Sequence, residues 1–347
     1  MEMPLVYIVI LNWNGLSDSV ECLNSIKVSN YTNYRVVLVD NCSTENPSVF
    51  LRHSYPWVTV IENDRNLGFT GGNNLAIKYA LTQGADYLWL LNNDTTVDAC
   101  CLKHLVETAE VSDRVGMVSP VIYYSDDPRR KQFSGSCLDL ENLTLSFPDL
   151  SDAVADTFMS GDNVALWGTA LLIKAELIRR IGLLNEKYFA YWEDTEYSFR
   201  ALRAGYENKV CPVAAIHHKT SSRETVRVSR HYHYYMVRNR ILFCREHLTA
   251  RKMVRFYRNQ LANLCVTIQS YHDIGAFEVA QARLDGFIDG IYCVTGPLGD
   301  SRHRLLKKVF TSVILRHPYF YADLLEADFS KTARHWSNLT WRRIFHR

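Results

Sequence analysis

Short apolar runs that stop at a polar or acidic residue, alternating with segments of helical spacing, constrain this chain's fold more than any other feature. Residues 7–11 are a continuous apolar run followed by Asn12-Trp13-Asn14-Gly15. Helical spacing occupies 17–26, with Val20, Leu23 and Ile26 on one face. Residues 35–39 form a β-branched run ending at Asp40, 58–61 a third run, and 87–91 a fourth that ends in Asn92-Asn93-Asp94. Residues 75–81 and 102–111 read as helices and 115–122 as a further strand. Strands alternating with helices build a parallel α/β sheet, and a sheet covered on both faces needs strands that are apolar throughout. Ligands of such sheets sit beyond the carboxyl ends of the strands. Asn12, Asp40 and Asp94 all fall there.

Farther along, 125–160 is polar and turn-rich, a flap or hairpin. Residues 164–173 are apolar again, 175–181 and 195–204 read as helices, and 213–216 as a short strand. After Ser229 the spacing is mostly helical, broken once at Gly296-Pro297-Leu298-Gly299.

Composition narrows the function classes. The 347 residues are 47% hydrophobic and 22% charged, as a core-forming protein of one or two domains requires. No run approaches the ~18 apolar residues of a membrane span, and Met1-Glu2-Met3-Pro4 has no basic leader, so a cytoplasmic chain is expected. The nine cysteines contain no CxxC pair, which fits reduced thiols rather than a zinc site. The Asn-x-Ser/Thr triplets at Asn41 and Asn142 carry no meaning without secretion. Charge is uneven: residues 1–218 carry a balance of −10, 219–258 of +9 and 301–347 of +7. Such an acidic body with basic segments suits an anionic partner, although solvated helix faces would look alike.

Several positions have the chemistry of a site. Asp94 ends an apolar strand, where it can hold Mg²⁺ or Mn²⁺ together with a substrate's phosphates; it would equally cap a helix near Asp98. Asp40 can accept hydrogen bonds from a nucleobase or a ribose, or serve a turn. The run Asn66-Leu67-Gly68-Phe69-Thr70-Gly71-Gly72-Asn73-Asn74 opens a helix, where glycine admits a close ligand and the helix end favours anions. It matches neither nucleotide-binding glycine fingerprint. Residues 188–196 set Glu193, Asp194 and Glu196 among Tyr188, Phe189, Tyr191 and Trp192. Apolar walls raise a carboxyl's proton affinity, as a general base requires, and flat rings suit sugars. An acid-rich helix start would show the same pattern. His217 and His218 close a strand-like stretch, as metal ligands or as structural side chains.

In order and spacing, residues 8–15, 37–43, 66–74, 90–95, 167–172, 188–200 and His218 resemble the successive motifs of the inverting glycosyltransferases of family two, over about residues 5–225. The resemblance implies an α/β GT-A fold: a Rossmann-like, mostly parallel sheet flanked by helices. It implies a catalytic domain over 1–225 and a mostly helical C-terminal region over 226–347. Within the family the chain is most similar to rhamnosyltransferases and related enzymes of bacterial cell-surface polysaccharide synthesis. The run from Arg283 to Gly290 is similar to that subgroup's C-terminal helices.

The resemblance also implies roles. The donor would be deoxythymidine diphosphate rhamnose or, second, a uridine diphosphate sugar, and the acceptor a saccharide or lipid-linked saccharide. Asp40 would contact the donor's base, with Asn12, Asn14, Asn66, Gly72, Asn73, Asn93 and Asp94 in the donor site. Asp94 and His218, in preference to His217, would hold a divalent metal, Mn²⁺ or Mg²⁺. Asp194 would be the catalytic base, with Glu193 beside it, and Trp192, Gly168 and Thr169 would meet the acceptor. Lys219, Arg223 and Arg227 would add positive charge toward the leaving diphosphate. The same basic stretch could instead meet phospholipid headgroups or a lipid diphosphate acceptor, in peripheral contact with the cytoplasmic face of the inner membrane. The chain departs from the family at Asn92-Asn93-Asp94, where only the last position of an Asp-x-Asp-type motif is acidic, and at Asn185 and Glu196, where aspartate is usual.

Rival readings make definite demands. A sugar nucleotidyltransferase would carry a basic glycine loop after the first strand, where this chain has Asn12-Trp13-Asn14-Gly15. A non-catalytic saccharide- or nucleotide-binding protein would explain Asn92 and Asn93 but not the retained Asp94, Asp194 and His218. A nucleic-acid binder would rest on 219–258 alone, which holds no recognised binding motif, so no nucleic-acid partner is expected.

Overall fold

The computed structural model describes residues 3–148, 163–220, 229–299, 309 and 312. Two compact units result. One runs to Arg227 and takes in Thr295–Pro297; the other comprises Val228–Val294 and the chain from Leu298.

The first unit is a three-layer sandwich. Its elements in chain order are β1 (Val6–Asn12), α1 (Leu16–Ile26), β2 (Tyr34–Asp40), α2 (Ser48–Ser54), β3 (Val58–Glu62), α3 (Gly68–Thr82), β4 (Tyr87–Asn92), β5 (Thr95–Val97), α4 (Cys101–Ala109) and β6 (Val115–Tyr124). Then follow β7 (Lys131–Phe133), β8 (Ser136–Asp139), β9 (Thr144–Ser146), β10 (Val164–Ala165), β11 (Ala170–Lys174), α5 (Ala175–Ile181), α6 (Glu193–Arg203) and β12 (Glu207–His218). The main sheet has the order β3-β2-β1-β4-β11-β6-β12-β5, with β7 beside β6. Strands β1, β2, β3, β4, β6 and β12 run one way; β11, β5 and β7 run against them.

The unbroken apolar runs follow from the two faces. Side chains alternate across a strand. Accordingly Val6, Ile8 and Ile10 of β1 enter one core while Tyr7 and Val9 enter the other. The first core is closed by Cys22, Leu23 and Ile26 of α1 and Leu102 and Leu105 of α4; the second by Ala76, Ile77 and Ala80 of α3 and Tyr197 of α6.

Two boundaries differ from the sequence reading. The helix expected over 75–81 begins earlier: Gly68 to Asn74 already form the first turns of α3. The strand expected over 213–216 begins at Glu207, with a register shift between Cys211 and Ala215. Pro212 lies within that shift, and proline cannot donate to a ladder.

The second unit contains α7 (Arg230–His247), α8 (Ala250–Asp273) and α9 (Phe277–Ile291), in keeping with the helical C-terminal region. Ser229 caps α7, its Oγ accepting from the Tyr232 N–H at 3.3 Å. Gly286 and Gly290 let α9 lie directly on α7: a Cβ on Gly286 would come within 2.4 Å of the Tyr234 carbonyl oxygen. Asp289, between them and α7, accepts from the Tyr234 hydroxyl at 2.9 Å. The Arg283–Gly290 run is thus built for helix packing.

Candidate active site

The carboxyl ends of β1, β2 and β4 lie side by side, with Asn12 in register with Asp40 and Leu11 with Asn92. Buried Asp40 is gripped by its neighbours. Its Oδ1 accepts from Asn12 Nδ2 at 2.8 Å and Ser43 Oγ at 2.6 Å, and its Oδ2 from the Ser43 N–H at 3.1 Å. Asn12, itself fully buried, takes Ser19 Oγ at 2.9 Å on its Oδ1. Asn93 Nδ2 donates to Gly15 O and Ser19 Oγ, both at 3.1 Å, so Asn93 holds α1 to the end of β4. Asn14, at φ 57°, fixes the facing loop through Thr44 N–H at 2.8 Å. Asn66 receives Asn41 Nδ2 at 2.9 Å.

Asp94 follows β4 immediately. Its Oδ2 faces His218 Nε2 at 3.2 Å, and its Oδ1 is buried without a hydrogen-bond partner among the described residues. Burial raises the Asp94 carboxyl, but the His218 hydrogen bond and the charges of His218 and Lys219 outweigh it and hold it below its ordinary value. His217, one residue earlier on β12, points to Asp98 at 3.5 Å instead, as strand alternation requires. The helix-cap alternative for Asp94 does not apply, because β5 intervenes and α4 is capped at Cys100. A bare oxygen beside an imidazole fits a divalent cation, and a mixed carboxylate–imidazole pair suits Mn²⁺ better than oxygen-seeking Mg²⁺. No cluster of three or more His, Cys, Asp or Glu occurs among the described residues. Two protein ligands therefore leave most of the coordination to a substrate's phosphates and water.

The third part comes from the loop before α6. Asn74 of α3 clasps it, donating to Leu184 O at 2.9 Å and accepting from Leu184 N–H at 3.1 Å. The Thr70 N–H holds Phe189 O at 3.2 Å. Phe189, Tyr191 and Trp192 all have left-handed backbones, at φ 66°, 67° and 72°. Such conformations cost energy in non-glycine residues and gather at functional sites. They deliver Glu193 and Asp194 at the start of α6. Asp194 Oδ2 accepts from Gly168 N–H at 3.0 Å, and its Oδ1 from Thr195 N–H at 2.6 Å. Gly168 in turn adjoins Thr169, whose carbonyl receives the Asn92 N–H at 2.9 Å. Asp194 is thereby tied to the end of β4.

The two adjacent carboxyls are treated differently. Burial raises both. Asp194 has donors that favour its ionised form; Glu193 Oε2 is buried with no partner among the described residues, and the Asp194 charge raises Glu193 further. Of the pair, Glu193 is therefore pushed further toward its protonated form than Asp194. Glu196 clamps Arg200 through 2.7 and 3.0 Å bonds, and Arg200 caps Ile181 O and Leu183 O. The departure at Glu196 thus serves packing.

Several expected contacts take other parts. Gly72 is filled by packing, since a Cβ there would sit 2.4 Å from Leu11 Cδ1, and buried Asn73 bonds Phe69 O within α3 at 2.8 Å. Trp192 is buried, and the exposed ring of its loop is Tyr191, at 39%. Lys219 is engaged by Asp18 and Glu21 at 2.5 and 2.8 Å. Arg223 and Arg227 lie outside the described residues. Ser43 and Asn41 carry more of the network than the sequence suggested; the Asp40-x-x-Ser43 spacing, typical of a side-chain turn, was their signal.

Comparison with known proteins fits this geometry. Residues 7–166 match the model of glycosyl transferase family 2, and 87–292 that of glycosyl transferase family group 2. A galactofuranosyltransferase, GlfT1, of Mycolicibacterium smegmatis is 27% identical over 48% of this chain and 55% of its own length. A low-salt glycan biosynthesis hexosyltransferase, Agl10, of Haloferax volcanii is 25% identical over 68% and 74%. The chain thus spans about half the length of the galactofuranosyltransferase it matches. The S. aureus TarS 1-349 complex with UDP-GlcNAc superposes with a TM-score of 0.54 at 16% identity, covering 84% of this chain and 81% of that one. The Pyrobaculum calidifontis mannosyltransferase complex with GDP-Man and Mn²⁺ gives 0.52 at 17%, covering 98% and 88%. These likenesses establish the GT-A fold.

Proposed function

Since the chain belongs to glycosyl transferase family group 2, we propose that it moves a sugar from a nucleoside diphosphate donor to a saccharide or lipid-linked saccharide hydroxyl, with inversion. The convergence of Asp40, the Asp94–His218 pair and Asp194 on one end of the sheet carries this reading. Asp40, held by Asn12 and Ser43, meets the donor's base or ribose. Asn14 and Asn66 shape the loops beside it. Asp94 and His218 would hold the divalent ion, which when bound supplies Lewis-acid neutralisation of the leaving diphosphate.

Asp194 acts on the acceptor. Its ionised carboxylate takes the hydroxyl proton as that oxygen bonds to the anomeric carbon and the carbon–oxygen bond to the diphosphate breaks. The Gly168 and Thr195 N–H groups hold the carboxylate in place, and burial raises its proton affinity toward that of an effective base. Tyr191 offers an exposed ring for a sugar.

Rhamnose from deoxythymidine diphosphate rhamnose is the first donor to test. Uridine diphosphate sugars come next, and galactofuranosyl and hexosyl donors belong among those tested because the relatives are named for those transfers. The test is nucleoside diphosphate release and donor binding across a panel of sugar nucleotides, with and without Mn²⁺, in wild type and Asp94→Ala. Metal-dependent release from one donor, lost in the variant, supports the proposal. A protein that neither binds nor cleaves any of the panel would return the non-catalytic reading to the front.

Membrane contact is part of the proposal. No helix among the described residues is long and apolar enough to cross a bilayer. The start of α8, however, exposes Arg251, Val254, Arg255 and Arg258 with no acid among residues 250–258. Co-sedimentation with anionic vesicles at low salt is expected, and its absence there would remove this part.

A further inference from the structure

The sequence reading assigned nothing to Gln132, yet it reaches the centre of the site. It sits on β7, where the ladder with β6 slips: Ile122 pairs with Phe133 but Tyr123 with Lys131, leaving Gln132 as the extra residue. Such a bulge breaks the in–out alternation and re-aims a side chain. Here it brings Gln132 Oε1 to 2.9 Å from His218 Nδ1, although the two residues lie 86 apart in sequence.

From this geometry we infer that Gln132 is a positioning residue that fixes the tautomer and ring orientation of His218 for a divalent cation shared with Asp94. An amide carbonyl only accepts. His218 Nδ1 therefore donates to Gln132, and the ring is turned so that Nε2 faces Asp94 Oδ2, 3.2 Å away. Thr220 Oγ1, 3.2 Å from the same Nδ1, is a hydroxyl that can accept as well and does not reverse the assignment. With Nε2 on a carboxylate oxygen and Asp94 Oδ1 buried without a partner among the described residues, a divalent cation can take the place of the Nε2 proton between the two side chains. Metal-binding histidines hand their other N–H to such an acceptor, and losing that partner costs ~10–100-fold in metal affinity. With two protein ligands at hand among the described residues, the orientation of one of them matters more than in a crowded site.

The inference rests on the metal reading proposed above, so two measurements are paired. The first uses no metal: long-range ¹H–¹⁵N spectra of histidine-labelled protein, with His218 assigned by the signal missing from His218→Asn. Wild type and Gln132→Glu should show the Nδ1–H form of His218, and Gln132→Leu should lose it. A wild-type His218 protonated at Nε2 alone overturns the inference. The second is Mn²⁺ titration followed by electron paramagnetic resonance. Gln132→Leu should bind Mn²⁺ at least about tenfold more weakly, with Gln132→Glu equal to or tighter than wild type. If Gln132→Leu binds Mn²⁺ as wild type does while Asp94→Ala does not, the inference fails and the metal site stands. If wild type binds no Mn²⁺, the metal reading and the shared cation both fail, while the spectra still decide whether Gln132 sets the tautomer.

Discussion

The strand-end carboxylates and the carboxylates of α6 sit at the same end of one sheet, yet the protein handles their charge in opposite ways. Asp40 is surrounded by donors, and Asp94 is held below its ordinary proton affinity by His218 and Lys219. Glu193 and Asp194 are pushed the other way by burial. A group that must stay anionic next to a cation and a group that must accept a proton need opposite environments. Strand ends and a strained loop supply them at one end of the sheet. The difference teaches that carboxyl side chains are told apart by their donors: Asp194 has the Gly168 and Thr195 N–H groups, while Glu193 Oε2 has no partner among the described residues.

The sharpest way to break this comparison is Asp194→Asn. The fold and the donor site should survive, because the amide oxygen can still accept from one of the Gly168 and Thr195 N–H groups. Transfer should fall by about 10²–10⁴-fold, the usual contribution of a positioned base. Donor affinity should change by less than about twofold. Turnover near that of wild type would remove Asp194 from its role.

Asp94→Ala should act on the other half. Donor affinity in Mn²⁺ is expected to drop by about tenfold or more, while affinity without metal stays level. Equal losses with and without metal would mean that Asp94 acts as a structural residue.

The pH dependence comes next in size. The base must be ionised, and burial raises Asp194, so activity should fall as pH drops through a value above the ordinary ~4 of an aspartate. Because burial and the Asp194 charge favour the protonated form of Glu193, Glu193→Gln should keep transfer within about tenfold of wild type and leave an acid limb in place. A profile flat down to the ordinary aspartate range would contradict the burial-raised base, and complete loss in Glu193→Gln would exchange the two roles.

Much of the first half of the site was legible in the sequence, and the reason is physical. Unbroken apolar runs such as 36–39 and 87–91 read as strands covered on both faces, whose polar terminators gather at one sheet end. What was not legible depends on register and remote backbone. Gln132 reaches His218 only because one residue bulges in a three-residue strand. The choice of Asp194 over Glu193 turns on an N–H 26 residues away. The glycine run looked like a ligand loop because α3 starts without a side-chain cap; its Gly72 answers instead to the bulk of Leu11.

The smallest effect offers the cleanest check on the α6 half, since it needs no substrate. Glu193 has a folded-state proton affinity well above its unfolded value, which is near pKa ~4.3. Above that unfolded value the native chain binds more protons at this position than the unfolded chain does. Wild-type stability from Glu193 is therefore fully present below pH ~4.3 and is lost as pH rises toward the folded value. Glutamine is neutral in both states and removes the linkage. The melting temperature of Glu193→Gln should thus match or trail wild type at pH 5 and gain on it by pH 8, a relative shift of a few degrees at this size. Asp194→Asn should show the same trend more weakly, because Gly168 and Thr195 already stabilise its ionised form. If the Glu193→Gln difference were the same at both pH values, Glu193 would be ionised in the folded protein, and the division between neutral and charged carboxyls on α6 would fall with it.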